Sequence, residues 1–329
     1  MKILITGVHG FVGSNLVEYL KAENEIYGLD IVGPEKEGVL KTFSWEDLEI
    51  LKQVQDDGSV VQDDKIIFDA IIHLAGKAHD TKNKSAAEVY FNVNTGLTQR
   101  IFDFFMASGA KKFVFFSTAK AAADRVEGVL TEDIVPAPVG PYGESKIKAE
   151  EYILRSFADP QDDKKDIEGK QVYIFRPCMI HGPGNKGNLN LLYSVVRKGI
   201  PWPLGAFENR RTFTSIENIC FAVNGVLTQN VPPGIYNMGD DEALSTNELI
   251  EEICNSLGKK ARIWRLPKGL MTSIAKVGGW LHLPLNPDRL QKLTENYVSS
   301  NAKIKAALGV EKMPVDAREG LKTTFESFK

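Results

Sequence analysis

The chain opens on Lys2-Ile3-Leu4-Ile5-Thr6-Gly7-Val8-His9-Gly10-Phe11-Val12-Gly13-Ser14-Asn15-Leu16, and the reading of this stretch decides the fold. Lys2–Thr6 is a short, β-rich apolar run. Three glycines follow at GxxGxxG spacing, after which Val12, Leu16, Tyr19 and Leu20 take up helical periodicity. A strand that turns through glycines into a helix lets backbone approach a ligand closely. The helix N-terminus beyond it carries free N–H groups and the positive end of a dipole, a seat for an anion.

Working outward, β-rich runs recur at Glu25–Asp30, Ala70–Ala75, Phe113–Thr118 and Gln171–Arg176. Between them lie segments with helical spacing, such as Val89, Val93, Leu97, Ile101 and Phe105. Phe113-Val114-Phe115-Phe116 is apolar throughout, the habit of a strand covered on both faces. The expected fold is α/β, a doubly wound parallel sheet of Rossmann type with ligands at the carboxyl ends of its strands. Beyond His181 the pattern loosens into Gly/Pro-rich turns, followed by a capping box, Ser245-Thr246-Asn247-Glu248, that opens a helix over Leu249–Leu257. Residues 1–180 are expected to form the sheet domain, with a stretch near 206–238 returning to it. Residues 181–329 should supply mainly a smaller, mixed substrate lobe. The charged stretch 158–170 reads as an exposed loop.

The 329 residues, 43% hydrophobic and 25% charged, suffice for a large core. Forty basic against forty-three acidic side chains give a net charge of −3, which argues against a nucleic-acid partner. No apolar run reaches the ~18–20 residues needed to span a bilayer, so no membrane partner is expected. Cys178, Cys220 and Cys254 are odd in number and far apart, suggesting neither disulfides nor zinc. The five histidines lack ligand spacing, and no metal is expected. A protein of the reducing cytosol is the reading.

Asp30 closes the second β-run, 17 residues after Gly13. A carboxylate there accepts hydrogen bonds from the hydroxyls of an adenosine ribose and repels a 2′-phosphate. No arginine follows at positions 31–34, so the dinucleotide is NAD rather than NADP. Tyr142 and Lys146 form a Tyr-x-x-x-Lys pair, placed on one helix face by the i, i+4 spacing. An ammonium beside the phenol and a cationic nicotinamide would both favour the phenolate. Ser117 and Thr118 end an apolar strand 24 residues before Tyr142, where a hydroxyl can bond the same substrate oxygen.

In this order, these features resemble an extended short-chain dehydrogenase/reductase, of the NAD-dependent epimerase/dehydratase group that acts on nucleotide sugars. The likeness runs through ITGVHGFVGSNL, IIHLAGKAHD, FNVNTG, FVFFST, PYGESKIKAE, FRPCMIHGPGNKGNL, PWPLGAFENRRTFTSIENI and YNMGDDEALSTNEL. It implies a catalytic trio of Thr118, Tyr142 and Lys146. The cofactor would meet Gly7, Gly10, Phe11, Val12, Gly13, Asp30, Ile31, the Leu74-Ala75-Gly76-Lys77 turn and Asn92, besides Tyr142 and Lys146. The substrate would meet Thr118, Asn188 and Leu189, with Arg211 on its phosphates and Leu204, in Pro203-Leu204-Gly205, flanking its base.

Ala119-Lys120 stands where the sugar-nucleotide dehydratases of this group carry an acidic pair, which disfavours dehydration. The usual Val-Tyr-Gly after the hydroxyl strand is replaced by Ala121-Ala122-Ala123, leaving Ser117 and Thr118 as alternatives for the hydroxyl. The resemblance implies a UDP-hexose or UDP-N-acetylhexosamine 4-epimerase working by hydride transfer at C4 through a 4-keto sugar. A one-way NAD(P)H-dependent 4-ketoreductase of a UDP-4-keto-6-deoxy sugar shares the same trio. A non-catalytic NAD-sensing protein is disfavoured by the presence of both Tyr142 and Lys146. A homodimer through helices near Ala86–Phe105 and Tyr142–Phe157 is implied by the same likeness.

Overall fold

In a computed structural model, residues 1–31, 33, 36–48, 51, 66–78, 86–158, 169–281 and 285–329 are described. Seven strands make one parallel sheet: β1 (Lys2–Thr6), β2 (Glu25–Leu29), β3 (Lys41–Phe43), β4 (Ala70–His73), β5 (Lys112–Phe116), β7 (Gln171–Pro177) and β10 (Gly234–Met238). Their order is β10-β7-β5-β4-β1-β2-β3, so the chain reverses direction of travel between β1 and β4 and leaves a crevice there. The sheet is the one the apolar runs call for. β2, β4 and β5 end one or two residues earlier than the sequence pattern, which puts Asp30, Ser117 and Thr118 just past the strand ends, on the crevice rim.

Both faces are covered, which is why the central strands carry no polar alternation. On one face Ile3, Ile5, Val114 and Phe175 pack with α1 (Phe11–Leu20) and the later helix Ile216–Thr228. On the other, Leu4, Ile71, Phe113 and Phe115 pack with residues of Leu97–Ala107 and Pro141–Ala158. Ile304 and Leu308 also join the first core, so segments from the last third of the chain return to the large sheet. The sequence pattern misses β3, only three residues long, and β10, whose Gly234 start follows two prolines.

The smaller lobe has its own cores. Leu189, Tyr193, Phe213, Leu249, Ile253 and Phe325 form one, and Leu204, Met271, Ala275 and Leu290 another. A three-stranded sheet, β11 (Ala243–Leu244), β9 (Arg211–Ser215) and β8 (Met179–His181), links it to the end of β7. A two-stranded pair joins β12 (Val298–Ser299) to β6 (Val129–Leu130). The capping box is present, with Ser245 and Glu248 bonded reciprocally at the start of Thr246–Ser256. Of the expected loop at 158–170, residues 159–168 lie outside the described residues, as do His79 and Asp80 of the fourth strand's motif.

Candidate active site

The site begins where β1 ends. Gly7 takes φ +70°, a left-handed conformation that side chains resist. A Cβ on Gly7 would stand 2.9 Å from the Ala75 nitrogen, and one on Gly13 would collide with the Gly7 carbonyl. The glycine loop therefore lies flush against the Leu74-Ala75 turn, with no volume for side chains. Thr6 Oγ1 accepts from Ala75 N at 3.0 Å and meets His73 Nδ1 at 2.7 Å, while His73 Nε2 meets Thr98 Oγ1 at 2.9 Å. Burial, assisted by the nearby Lys146 ammonium, holds His73 well below its usual pKa, so the imidazole is a neutral strut under the crevice.

Gly10 caps α1 without a side-chain acceptor, so no hydroxyl or carboxylate of its own competes for the first-turn N–H groups. Asp30 stands beside them. Its Oδ2 accepts from His9 N at 2.9 Å and its Oδ1 from Ile31 N at 2.7 Å, which fixes the carboxylate at the edge of the loop. Ile31 itself is exposed. A side-chain-free cradle, a helix N-terminus and a fixed carboxylate together fit a dinucleotide, with pyrophosphate on the helix and ribose on Asp30.

The far side of the crevice holds an unforeseen asparagine. Asn94 is fully buried, and its Oδ1 accepts from Lys77 N at 2.7 Å. Its Nδ2 donates to Lys77 O at 3.2 Å and to Ser145 Oγ at 3.0 Å. Asn92, the residue expected here, is exposed. The reason is local: Phe91–Gly96 is a π-helical turn, which carries an extra residue per turn and changes which side chain faces inward. A strictly α-helical reading of FNVNTG cannot see this. A Cβ on Gly76 would stand 3.0 Å from Asn94 Oδ1 and 3.2 Å from Lys146 Nζ, so the two side chains meet at this glycine.

Pro141 starts the helix that carries Tyr142 and Lys146. The Thr118 hydroxyl is the neighbouring group that pulls the Tyr142 phenol toward its ionised form, and the Tyr90 ring packs edge-on to Tyr142 at 6.3 Å between centroids. Lys146, 5% exposed, donates to the Phe116 carbonyl at 2.8 Å and lies 4.8 Å from the Phe115 ring centroid. Ser117 turns the other way, its hydroxyl donating to the buried Glu150 carboxylate. Of the two candidate hydroxyls, it is Thr118 that meets the phenol.

The charges differ from the expectation of a lysine-stabilised phenolate. Burial raises the Tyr142 pKa, outweighing the downward pull of Thr118, with Tyr90 adding to the rise. Burial likewise lowers Lys146 to about 8, against an upward contribution from Glu150. In the bare protein both groups are pushed toward neutrality.

Beneath the pair lies a network that the Tyr-x-x-x-Lys pattern continues into. Glu150 is four residues past Lys146, on the same helix face. Its carboxylate binds Arg176 through Nε at 3.1 Å to both oxygens and Nη2 at 2.5 Å, with the pair fully buried. The extra i+4 acid was a legible signal, whereas its arginine partner on β7 was not.

On the smaller lobe, Arg211 at the start of β9 is mostly buried and pairs with Glu295 at 3.4 Å. Burial lowers its pKa, opposed by Glu295. Its neighbour Arg210 points elsewhere, to Ala243 O at 3.0 Å and Glu248 at 2.9 Å. Lys120 donates to Asp124 Oδ1 at 2.9 Å and lies 4.9 Å from the Tyr297 ring centroid. Asn188 is exposed at the start of its helix. Leu189 and Leu204, expected beside the nucleotide, instead give their side chains to the lobe's apolar cores, 2% and 3% exposed, which leaves only backbone for a ligand. Phe11 lies against the turn at Gly182–Gly184, and Asn15 donates to Pro183 O at 3.3 Å, so the glycine loop also meets the motif after β8. Among the described residues, no cluster of three metal-ligating side chains occurs.

A family profile described as "NAD dependent epimerase/dehydratase family" matches residues 3–239. A UDP-glucose 4-epimerase from Vibrio cholerae is 30% identical, over 99% of this chain and 95% of its own. An N-acetyl-alpha-D-glucosaminyl-diphospho-ditrans,octacis-undecaprenol 4-epimerase from Escherichia coli O157:H7 is 27% identical, over 92% of this chain and 84% of its own. Among solved structures, MoeE5 in complex with UDP-glucuronic acid and NAD superposes with a TM-score of 0.74 at 21% identity, covering 99% of this chain and 98% of that one, which shows a shared fold. The profile spans the crevice from the first strand to the end of β10, and the chain belongs to the NAD-dependent epimerase/dehydratase family.

Proposed function

We propose that the protein is a 4-epimerase of UDP-linked hexoses or N-acetylhexosamines. The observation that carries this reading is the Thr118 hydroxyl set beside the Tyr142 phenol just past the end of β5, next to a lysine anchored on the Phe116 carbonyl. Two hydroxyls that converge can share one substrate oxygen. Tyr142 takes the proton of the sugar's C4 hydroxyl, and Thr118 bonds that same oxygen. Because burial raises the phenol's pKa, this step needs a positive neighbour. NAD, when bound, supplies a cationic ring that accepts a hydride and returns it. Lys146 would hold the nicotinamide ribose, while Asn94 fixes the Gly76-Lys77 turn beside it. Tyr142 then gives the proton back to the opposite configuration of the alcohol.

The names of both relatives carry a sugar on a diphosphate, which is the substrate feature this reading adopts. Arg211 is assigned to those phosphates, since a guanidinium can meet two oxygens at once. Asn188 and the backbone at Leu189 and Leu204 complete the proposed nucleotide contacts. A cytoplasmic location suits the three free thiols. A homodimer through the Leu97–Ala107 and Pro141–Ala158 helices belongs to the same reading, and a monomer in light scattering would remove that part.

A proton NMR time course on UDP-glucose and UDP-N-acetylglucosamine with added NAD tests the reaction. The expected result is growth of the C4 epimer to equilibrium with no net change in NAD. Consumption of NADH with a 4-keto sugar nucleotide, and no epimer from either UDP-sugar, would replace the epimerase by a ketoreductase.

A further inference from the structure

We propose that the outer helix of the smaller lobe, Lys268–Trp280, docks the protein onto an anionic phospholipid surface. The inference is independent of the reaction proposed above. The helix uses one face for packing: Met271, Ala275 and Gly278 are buried, and Met271 and Ala275 join Leu204 and Leu290 in the lobe's core. A second face is apolar and uncovered. At roughly 100° per residue, positions 270, 274, 277 and 281 fall within about 60° of one another. They are Leu270, Ile274, Val277 and Leu281, exposed by 49%, 44%, 54% and 51%. Trp280 is 80% exposed at the helix end, and Trp264, just before the helix, is 55% exposed. A stripe of this kind ordinarily lies against something.

The charge around it says what. Residues 253–287 hold six cations, Lys259, Lys260, Arg262, Arg265, Lys268 and Lys276, and no Asp or Glu, in a chain whose acids outnumber its bases by 43 to 40. All six are exposed. A second copy of the chain fits poorly, because a two-fold interface sets the same patch against itself and would bring cations against cations. An apolar stripe in a stretch that carries six exposed cations, no acid and two exposed tryptophans matches a headgroup layer, where Trp sits at the boundary and Lys and Arg meet phosphate. The helix is too short to span a bilayer, and among the described residues no helix is long and apolar enough to do so. Lying in the interface requires amphipathicity rather than length, so the lack of a span does not speak against this surface.

Flotation of the full chain with phosphatidylcholine vesicles, with and without phosphatidylglycerol, tests this. The protein should float with the phosphatidylglycerol vesicles and not with pure phosphatidylcholine. Raising the salt should weaken that binding by about tenfold or more. Ile274→Glu with Val277→Glu should lower it at least about tenfold while leaving the melting temperature unchanged, since both side chains are already in water. Tryptophan emission should shift to shorter wavelength with vesicles, and Trp280→Phe should diminish the shift. No flotation with the anionic vesicles overturns the proposal and leaves the face to a protein partner. Binding indifferent to phosphatidylglycerol, or unchanged in the double variant, overturns it equally.

Discussion

The two sides of the crevice are built on different principles. The dinucleotide side is mostly backbone: Gly7 and Gly13 are pressed against carbonyls and neighbouring turns, and Asp30 is tied by two main-chain N–H groups. Beneath the phenol and on the smaller lobe the construction is instead of side chains paired with one another, Glu150 with Arg176 and Arg211 with Glu295. A backbone cradle needs particular residues at fixed spacing in one short stretch, so it leaves a pattern. A cross-chain pair needs only that two segments meet in space, and it leaves none. The hydroxyls of Thr118 and Tyr142, to which the proposed reaction is assigned, stand where the two kinds of construction join.

That contrast can be broken most severely at the junction. Tyr142→Phe should lower turnover by about 10²–10⁴-fold while NAD affinity stays near wild type, because in the proposed reaction the phenol moves a proton and the cradle does the binding. Single-turnover NMR with a parallel NAD titration measures both, and retained turnover would separate the phenol from the chemistry. Glu150→Ala should cost about 3–5 kcal/mol of folding stability, since it leaves the Arg176 guanidinium buried without its partner. Replacing both, Glu150→Leu with Arg176→Met, should recover much of that loss in denaturant unfolding. Equal destabilisation by the single and double variants would mean that the pair acts through packing alone.

On the backbone side, Asp30→Ala should weaken NAD by roughly tenfold to a hundredfold, the worth of hydrogen bonds to a charged acceptor. NADP should be affected less, and an equal loss for both would detach the carboxylate from the ribose. The smallest effect concerns Lys146, with a pKa of about 8 in the folded protein against 10.5 in the unfolded chain. Between those values the unfolded state binds more protons, so this residue's contribution to stability rises with pH. Unfolding free energies from pH 8 to 10 should therefore climb more steeply in wild type than in Lys146→Met. Parallel curves would show that the ammonium is better solvated than its burial implies.

The run from Lys2 to Leu16 and the unbroken apolar strand at Phe113–Phe116 made the doubly wound sheet legible, since a buried parallel strand has no polar face to display. The Tyr142–Lys146 spacing was legible because an α-helix repeats reliably over one turn. The same rule does not reach Asn94, which a π turn over Phe91–Gly96 turns inward while Asn92, named by the family likeness, is exposed. Leu189 and Leu204 came from the family likeness alone, and no local pattern announces that the lobe takes their side chains for its cores.

By itself, then, the sequence determined the sheet, the cradle and the pairing of a phenol with an ammonium on one helix, all properties of short stretches obeying local periodicity. Only the tertiary structure decided that Thr118 rather than Ser117 meets the phenol, because Glu150 and Arg176 claim Ser117 from the other side. It also decided that burial moves the Tyr142 pKa up and the Lys146 pKa down, since desolvation depends on everything packed around a group and on nothing in its own few neighbours.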